Sequence, residues 1–528
     1  MENKKTKIIS IVAIVALALT VITATYAYFN AQVGDPAAVD VKINANTVDT
    51  LTFASGSAIS FSINQENFAS GKGNQTGSTY ASATLTANNK TNTATEHYYL
   101  YLNIEDNTFT YSINENTPEI IMTVTDSAGT EITDISTLTH VIVTGANGTQ
   151  VSGYDITNKS GLITLFNNRE ITTTSSKEEK WNITITFVNY DENQNANAGK
   201  NMSAKVMIQK EVIPQVISDV CGSGENLATC ITTLSSKSIP SATNIYHHDA
   251  SLTNGAGDNS YRYSGANPNN YVCFGTNTSP CPTDNLYRII GVFGDKVKLI
   301  KYDYASSNLL GTDGDYYDTD IPDASYYKGS LTSIDLYHWN YESTNSTTNT
   351  WSTSLLNKVN LNTNFITNIG KEWSNKIATT TWKVGGNTYA NIVELPMGEV
   401  YQNEIVNPVT TNTTDGKTDY DAKIGLMYVS DYGYAASSTY WSCSGYNDDS
   451  TKDYRMATTS NWMYMGLLDW TISRGADQTN YVFGVNVDGS LYGPGASGYH
   501  LVRPAFYLES SITYVSGDGT QSSPIRIN

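Results

Sequence analysis

Charge is scarce in this chain. Only 15% of its 528 residues are Asp, Glu, Lys or Arg, and 31 basic residues face 50 acidic ones, for a net −19. A nucleic-acid partner is excluded on that ground, because neutralising phosphates takes clustered Lys and Arg. Long charged helix formers are correspondingly few, while 37 Tyr and 39 Gly stand among abundant Ser, Thr and Asn. That balance reads as extracellular, β-rich protein. Cysteine is limited to five residues, the first at Cys221. There is no LPxTG-like motif and no apolar C-terminal tail, since the chain stops at SSPIRIN. Surface attachment is therefore expected from an uncleaved N-terminus or from assembly. At roughly 100–200 residues per domain, the length suggests two to four domains.

Residues 1–27 have the layout of an export signal. Lys4, Lys5 and Lys7 precede an apolar stretch from Ile8 to Ala24, and small residues follow at Thr25 and Ala27. Cleavage is expected after Ala27. The apolar run, about 17 residues, is at the short edge of what spans a ~30 Å bilayer, so a retained membrane anchor is the alternative.

Beyond the leader, the expected architecture is mainly β with an α+β part. Residues 28–210 read as a β-sandwich domain, 211–220 as a linker around Pro214, and 221–528 as an α+β domain. In the first, Trp181, Ile183, Ile185 and Phe187 alternate with Asn182, Thr184 and Thr186, the period of a half-buried strand. Similar runs cover Ala83–Ala87, Tyr98–Ile104, Ile120–Val124, Thr139–Val143 and Ala204–Ile208. In the second, strands are predicted over Leu286–Phe293, Val297–Tyr302, Tyr481–Val487 and Ala505–Leu508. A short helix is predicted over Asn226–Ser235, and a longer one is expected to be capped by Ser352 and Thr353 and closed by Gly370. Cys221 with Cys230, and Cys273 with Cys281, are close enough in sequence to form two local disulfides in an oxidising compartment. Their spacings are not those of zinc knuckles. Cys443 is left over and reads as a buried thiol, although His500 is a conceivable base for it.

Three constellations bear on chemistry. Asp313, Asp315, Asp318, Asp320 and Asp323 lie in one Gly-containing acidic loop, with Asp448, Asp449 and Asp453 as a weaker counterpart. Asp-x-Asp spacing supplies the oxygens that Ca²⁺ takes, but the register is not that of an EF-hand, and a solvated loop is the preferred account. Otherwise no cofactor is expected. His247, His248 and Asp249 invite a metal reading, but adjacent side chains in an extended segment point apart. Finally, Arg503 precedes Pro504 at the mouth of an apolar strand, near Trp470 and Arg474 in the pattern. A structural Arg is the plainer account. The functional account is a ligand cleft lined by Trp441, Trp470, Arg474 and Arg503, in which aromatic faces and fixed polar groups grip a sugar or peptide.

Two resemblances add to this. The junction TYAYFNAQ (Thr25–Gln32), followed by FASGSAISFSI (Phe53–Ile63), resembles the signal border and first strand of the TasA and camelysin family of Gram-positive bacteria. The resemblance implies a secreted β-sandwich that assembles into matrix fibres, with Tyr28–Ile43 as a strand donated to a neighbour. A type IV prepilin lacks support, because the Glu expected just inside the mature helix is absent. The blocks SYRYSGANPNNYVCFG (Ser260–Gly275), LYRIIGVFGDKVKLIK (Leu286–Lys301), WTISRG with NYVFGVNVDGSLYG (Trp470–Gly493) and LVRPAFYL (Leu501–Leu508) are similar to C-terminal domains of Gram-positive surface proteins. Their ending looks like the C-type-lectin-like fold shared with the formylglycine-generating-enzyme superfamily. The late cysteine pair that formylglycine chemistry needs is missing.

Together these readings lead to an exported, non-enzymatic cell-surface or matrix protein acting in ligand recognition, adhesion or fibre assembly. Expected partners are copies of itself or other surface proteins, a glycan or peptide, and the membrane if the leader is retained. The alternative is a secreted hydrolase acting on wall or glycan, which needs two carboxyl groups ~5 to 9 Å apart.

Overall fold

The computed structural model describes residues 49–64, 72–88, 92–135, 137–320, 326, 327, 329, 333–341, 348–408, 418–442 and 454–528. The leader with its cleavage site, the segment Tyr28–Ile43, Asp323, Cys443, Asp448, Asp449 and Asp453 lie outside the described residues. The chain is mainly β, in several antiparallel sheets, and it divides into two compact units at Val212/Ile213. Among the described residues, no helix is long and apolar enough to cross a membrane.

The first unit contains β1 (Thr50–Ser55), β2 (Ile59–Ser62), β3 (Gln75–Thr86), β4 (Ala94–Asn107), β5 (Ile120–Thr125), β6 (His140–Thr144), β7 (Gln150–Asp155), β8 (Gly161–Thr173), β9 (Ser176–Phe187) and β10 (Asn201–Gln209). They form one sheet in the order β1-β3-β9-β5-β7-β6 and a second in the order β2-β10-β4-β8. Alternation along β9 sends Trp181, Ile183, Ile185 and Phe187 inward, where all four are buried. They share one core with Leu100, Leu102 and Ile104 of β4 and Met202, Ala204 and Val206 of β10. Each fully buried large apolar side chain contributes about 1.5–3 kcal/mol, so this strand carries much of the unit's stability. Glu119 is buried too, and its carboxylate accepts from Gln194 Nε2 (2.7 Å), Asn197 Nδ2 (2.9 Å) and the Ser112 hydroxyl (2.8 Å). A buried carboxylate is tolerated when its oxygens are satisfied in this way.

The second unit opens with the helix Leu227–Lys237, whose first turn is closed by Asn226 Oδ1 accepting from the Thr229 N–H (3.0 Å). The strands β11 (Ile245–His248), β12 (Ser260–Tyr263), β13 (Tyr271–Cys273), β14 (Leu286–Phe293) and β15 (Lys296–Lys301) follow. Smaller sheets use β16 (Tyr316–Asp320), β17 (Ile334–His338), β18 (Thr380–Lys383), β19 (Asp419–Ala422), β21 (Asp469–Arg474), β22 (Val482–Val485), β23 (Leu491–Tyr492) and β24 (Tyr499–His500), while β20 (Ile424–Gly425) and β25 (Ala505–Tyr507) join the first group. The main sheet runs β11-β12-β14-β15-β25-β20, and β13 adds to β14. Both faces of its centre are covered: every residue of β15 from Val297 to Lys301 is buried.

The expected helix after residue 352 is mostly π-helical, over Leu356–Phe365, and continues as α-helix over Ile366–Asn368 before Gly370 turns the chain at φ 80°. Ser354, rather than Ser352 or Thr353, serves as its cap. Its hydroxyl accepts from the Asn357 N–H (3.1 Å), and Asp315 Oδ2 accepts from the Leu356 N–H (2.9 Å). Both expected disulfides are present, Cys221–Cys230 and Cys273–Cys281, with Cα separations of 5.4 and 5.9 Å. Both distances lie within the ordinary range for a disulfide.

Candidate functional site

The Cys273–Cys281 bridge ends β13 and ties down the loop that leads into β14. Across from it, β15 ends at Lys301 and the chain turns into the short helix Ser307–Leu310. Between these segments and the turn at Asn368–Ile369 lies a cleft of about 460 Å³. Lys301, Tyr287, Asp284, Asn285, Asp303, Tyr304, Ser306, Asn308 and Asn368 are its polar lining.

Its groups are held in place by bonds to the frame. Lys301 is 2% exposed, and Nζ donates to the Asp284 carbonyl (2.9 Å). Burial holds this lysine below the ordinary ammonium range, against the pull of Asp284 and Asp303. Asp303 has both oxygens engaged: Oδ2 accepts from the Tyr327 hydroxyl (2.9 Å) and Oδ1 from the Tyr304 N–H (2.8 Å). The Asn285 and Asn368 amides donate to the carbonyls of Phe274 and Leu309, each at 3.0 Å. Asn308 is exposed at the rim. A fixed cation, carboxylates, amides, a hydroxyl and two phenol rings in one concavity are suited to a ligand rich in hydroxyl groups.

A second charged cluster is entirely interior. Lys298 Nζ lies 2.5 Å from Asp431 Oδ2, and both side chains are essentially without exposure. Arg262 Nη1 lies 3.6 Å from Asp431 Oδ1, while its other nitrogen meets Asp258 Oδ2 at 2.8 Å. Around Lys298 stand the rings of Tyr428 (4.3 Å), Trp382 (5.1 Å), Tyr507 (5.3 Å) and Phe293 (5.8 Å). Glu404 is buried beside the same helix start, accepting from the N–H groups of Val429 and Ser430 (each 3.0 Å) and from the Ser473 hydroxyl. Burial nevertheless pushes its pKa up to about 7. Further off, Arg503 Nε donates to Asp469 Oδ2 (2.6 Å), and burial raises the Asp469 pKa to about 6 against that attraction.

The residues expected to line a ligand cleft are placed differently. Trp441, Trp470, Arg474 and Arg503 are all enclosed. The Trp470 indole donates to the Tyr337 carbonyl (2.8 Å) and the Trp441 indole to the Ala436 carbonyl (3.0 Å). Every residue of β21 is buried, so Trp470 and Arg474 lie in the core rather than on a cleft surface. The plainer account of Arg503, a structural guanidinium, fits its bonds to Asp469 and to the Met463 carbonyl (2.9 Å).

The acidic loop is also dispersed. Asp315 is buried and accepts from the N–H groups of Tyr341 and Leu356, Asp313 Oδ1 accepts from Asn364 (2.6 Å), and Asp318 and Asp320 are exposed on β16. Among the described residues, the one group of three ligand-type side chains that converges is Cys221, Glu225 and Cys230, and its two sulfurs form a disulfide. Asp313, Asp315, Asp318 and Asp320 do not converge as a Ca²⁺ site would require. His247 stacks on Tyr261 (4.3 Å between centroids), and His248 is buried, with Nδ1 accepting from the Ala256 N–H (3.1 Å) and its pKa lowered by burial to about 2. The two imidazoles thus have separate surroundings.

Sequence reasoning missed the cleft because its groups come from the two ends of the β14–β15 hairpin and from the remote turn at Asn368–Ile369, with no common spacing. The nearest signal was the disulfide-bounded loop before β14. No family model, curated protein or solved structure matches the chain.

Proposed function

We propose that this chain is an exported surface or matrix protein of a Gram-positive bacterium whose second unit recognises a glycan in the cleft between Asp284 and Asn368. The observation that carries the reading is the cleft itself: about 460 Å³, lined by Asp, Asn and Ser residues together with the buried Lys301 and Tyr287. The two disulfides support an oxidising, extracellular setting. The mixture of helices and short antiparallel sheets in this unit is compatible with a lectin-like fold. Screening the full chain on a glycan array tests the reading. Binding is expected, and Asn308→Ala, at the exposed rim, should weaken it without disturbing the fold.

Fibre assembly is the role we assign to the first unit. Two antiparallel sheets with apolar clusters drawn from both support a sandwich of the TasA and camelysin kind, and its edge strand β6 presents Ile142 at 65% exposure. A strand at the edge of its sheet among the described residues, carrying an exposed aliphatic side chain, favours association. Electron microscopy of the full chain and of Ile142→Lys tests this, with filaments expected only from the former.

A glycan hydrolase is the competing reading, since Asp284 and Asp303 share the cleft. Both oxygens of Asp303 are already hydrogen-bonded, which favours a positioning group over a general base. Release of reducing ends from a bound glycan, lost in Asp303→Asn, would favour the enzyme instead.

A further inference from the structure

Lys298 and Asp431 present an amine and a carboxyl group to one another at full burial. They come from β15 and from the start of the helix Val429–Ala435, with Nζ and Oδ2 2.5 Å apart. Neither side chain reaches solvent, and four aromatic rings stand within 5.8 Å of Nζ. Taking both charges out of water is expensive even when they pair. The rest of the cluster does not need them as ions, because Arg262 keeps Asp258 as its closer partner, at 2.8 Å against 3.6 Å.

We propose that Lys298 and Asp431 condense into an intramolecular amide bond, a covalent cross-link built into the second unit. The proton balance is closed. One proton passes from the ammonium to the carboxylate, giving amine and acid. The Nζ lone pair adds to Cγ, and the charge that develops on Oδ1 faces Arg262 Nη1. Loss of a second proton from nitrogen accompanies departure of Oδ2 as water. One C–N bond forms, one C–O bond breaks, and no oxidant or further reactant is consumed.

Three features of the site favour that course. The Tyr428 N–H donates to Asp431 Oδ2 (2.9 Å) and, with the helix start, fixes the carboxyl group toward the amine. Holding two reactants at contact replaces a bimolecular encounter with a local one. Burial also lowers the Lys298 pKa, opposing the attraction of Asp431 and increasing the share of free amine. The other titratable groups facing the pair are Arg262, Glu404, Tyr428 and Tyr507, and Arg262 Nη1 lies 3.6 Å from the oxygen that takes up charge. Enclosure of both side chains among aromatic rings keeps bulk solvent from driving hydrolysis back.

Peptide mapping of the full chain tests this directly. Trypsin cannot cut after an amide-linked Lys298, so the expected product is a branched peptide joining Val297–Lys301 to the peptide that begins at Ile424. It should be lighter than its two components by one water. Asp431→Ala should give only the linear peptides, and a branched product in that variant would overturn the assignment of Asp431. In the unaltered chain, complete cleavage after Lys298 with both peptides linear would overturn the cross-link itself. Neither result bears on glycan binding, so this inference and the recognition role fail or stand separately.

Discussion

The Trp181 indole N–H donates to the Tyr98 hydroxyl at 2.8 Å, joining β9 of one sheet to β4 of the other and linking two apolar clusters of the unit. The same hydroxyl donates to Glu179 Oε2 at 2.7 Å, and Glu179 in turn holds Arg169 (3.1 Å) and Lys177 (3.0 Å). One phenol oxygen therefore satisfies a buried donor and orients a carboxylate. Tyr98→Phe keeps the ring and removes that oxygen, leaving the Trp181 N–H without its acceptor. Chemical denaturation should show a loss of about 1–3 kcal/mol, the cost of stranding a buried polar group. A loss near zero would mean that the hydroxyl is not needed.

Glu404 sets a pH dependence of known sign. Burial raises its pKa in the folded chain from 4.5 to about 7, so the folded state binds its proton more tightly than the unfolded state. The stability this adds is fully present below about pH 4.5 and is lost as pH rises through about 7. His500 acts in the opposite direction: burial lowers its pKa from 6.5 to about 4, so stability falls as pH drops from 6.5 toward 4. Melting temperatures measured from pH 4.5 to 7.5 should isolate the first effect in Glu404→Gln. Relative to the unaltered chain, the variant should gain with rising pH across this window; a constant difference would contradict the assignment.

The Cys273–Cys281 bridge stabilises the loop beside the cleft. Replacing both cysteines with serine should lower stability by about 3 kcal/mol or less, as expected for a short closed loop. Because Asn285 and Lys301 are tied to this segment through Phe274 and Asp284, glycan affinity should fall more than global stability suggests. Equal affinity in the double variant would show that the wall stands without the bridge.

Much of the framework was legible in the chain. Alternation marked the inward face of β9, and the continuous apolar runs marked β14 and β25 because period and length are local properties. The disulfides were legible for the same reason, each pair being close in sequence. What stayed hidden depends on contacts between distant segments. Lys298 looks like an outward residue between Val297 and Leu299, yet the sheet is covered on both faces and its partner lies 133 residues away. Trp470 and Arg474 resemble a binding surface by composition, but whether an aromatic strand faces solvent is decided by what packs over it. Asp315 belongs to a loop that reads as solvated, yet it is buried because the start of the helix at Leu356 uses its carboxylate. The cleft is the clearest instance, since Asp284, Asp303 and Asn368 share no motif and meet only in the fold.

Hydrogen–deuterium exchange on the full chain, with and without a glycan that binds it on the array, tests the recognition role most directly. The account predicts slower exchange on binding at residues 284–287, 301–309 and 368–369, the segments that line the cleft. Protection confined to other segments, or no binding by any glycan on the array, would contradict it.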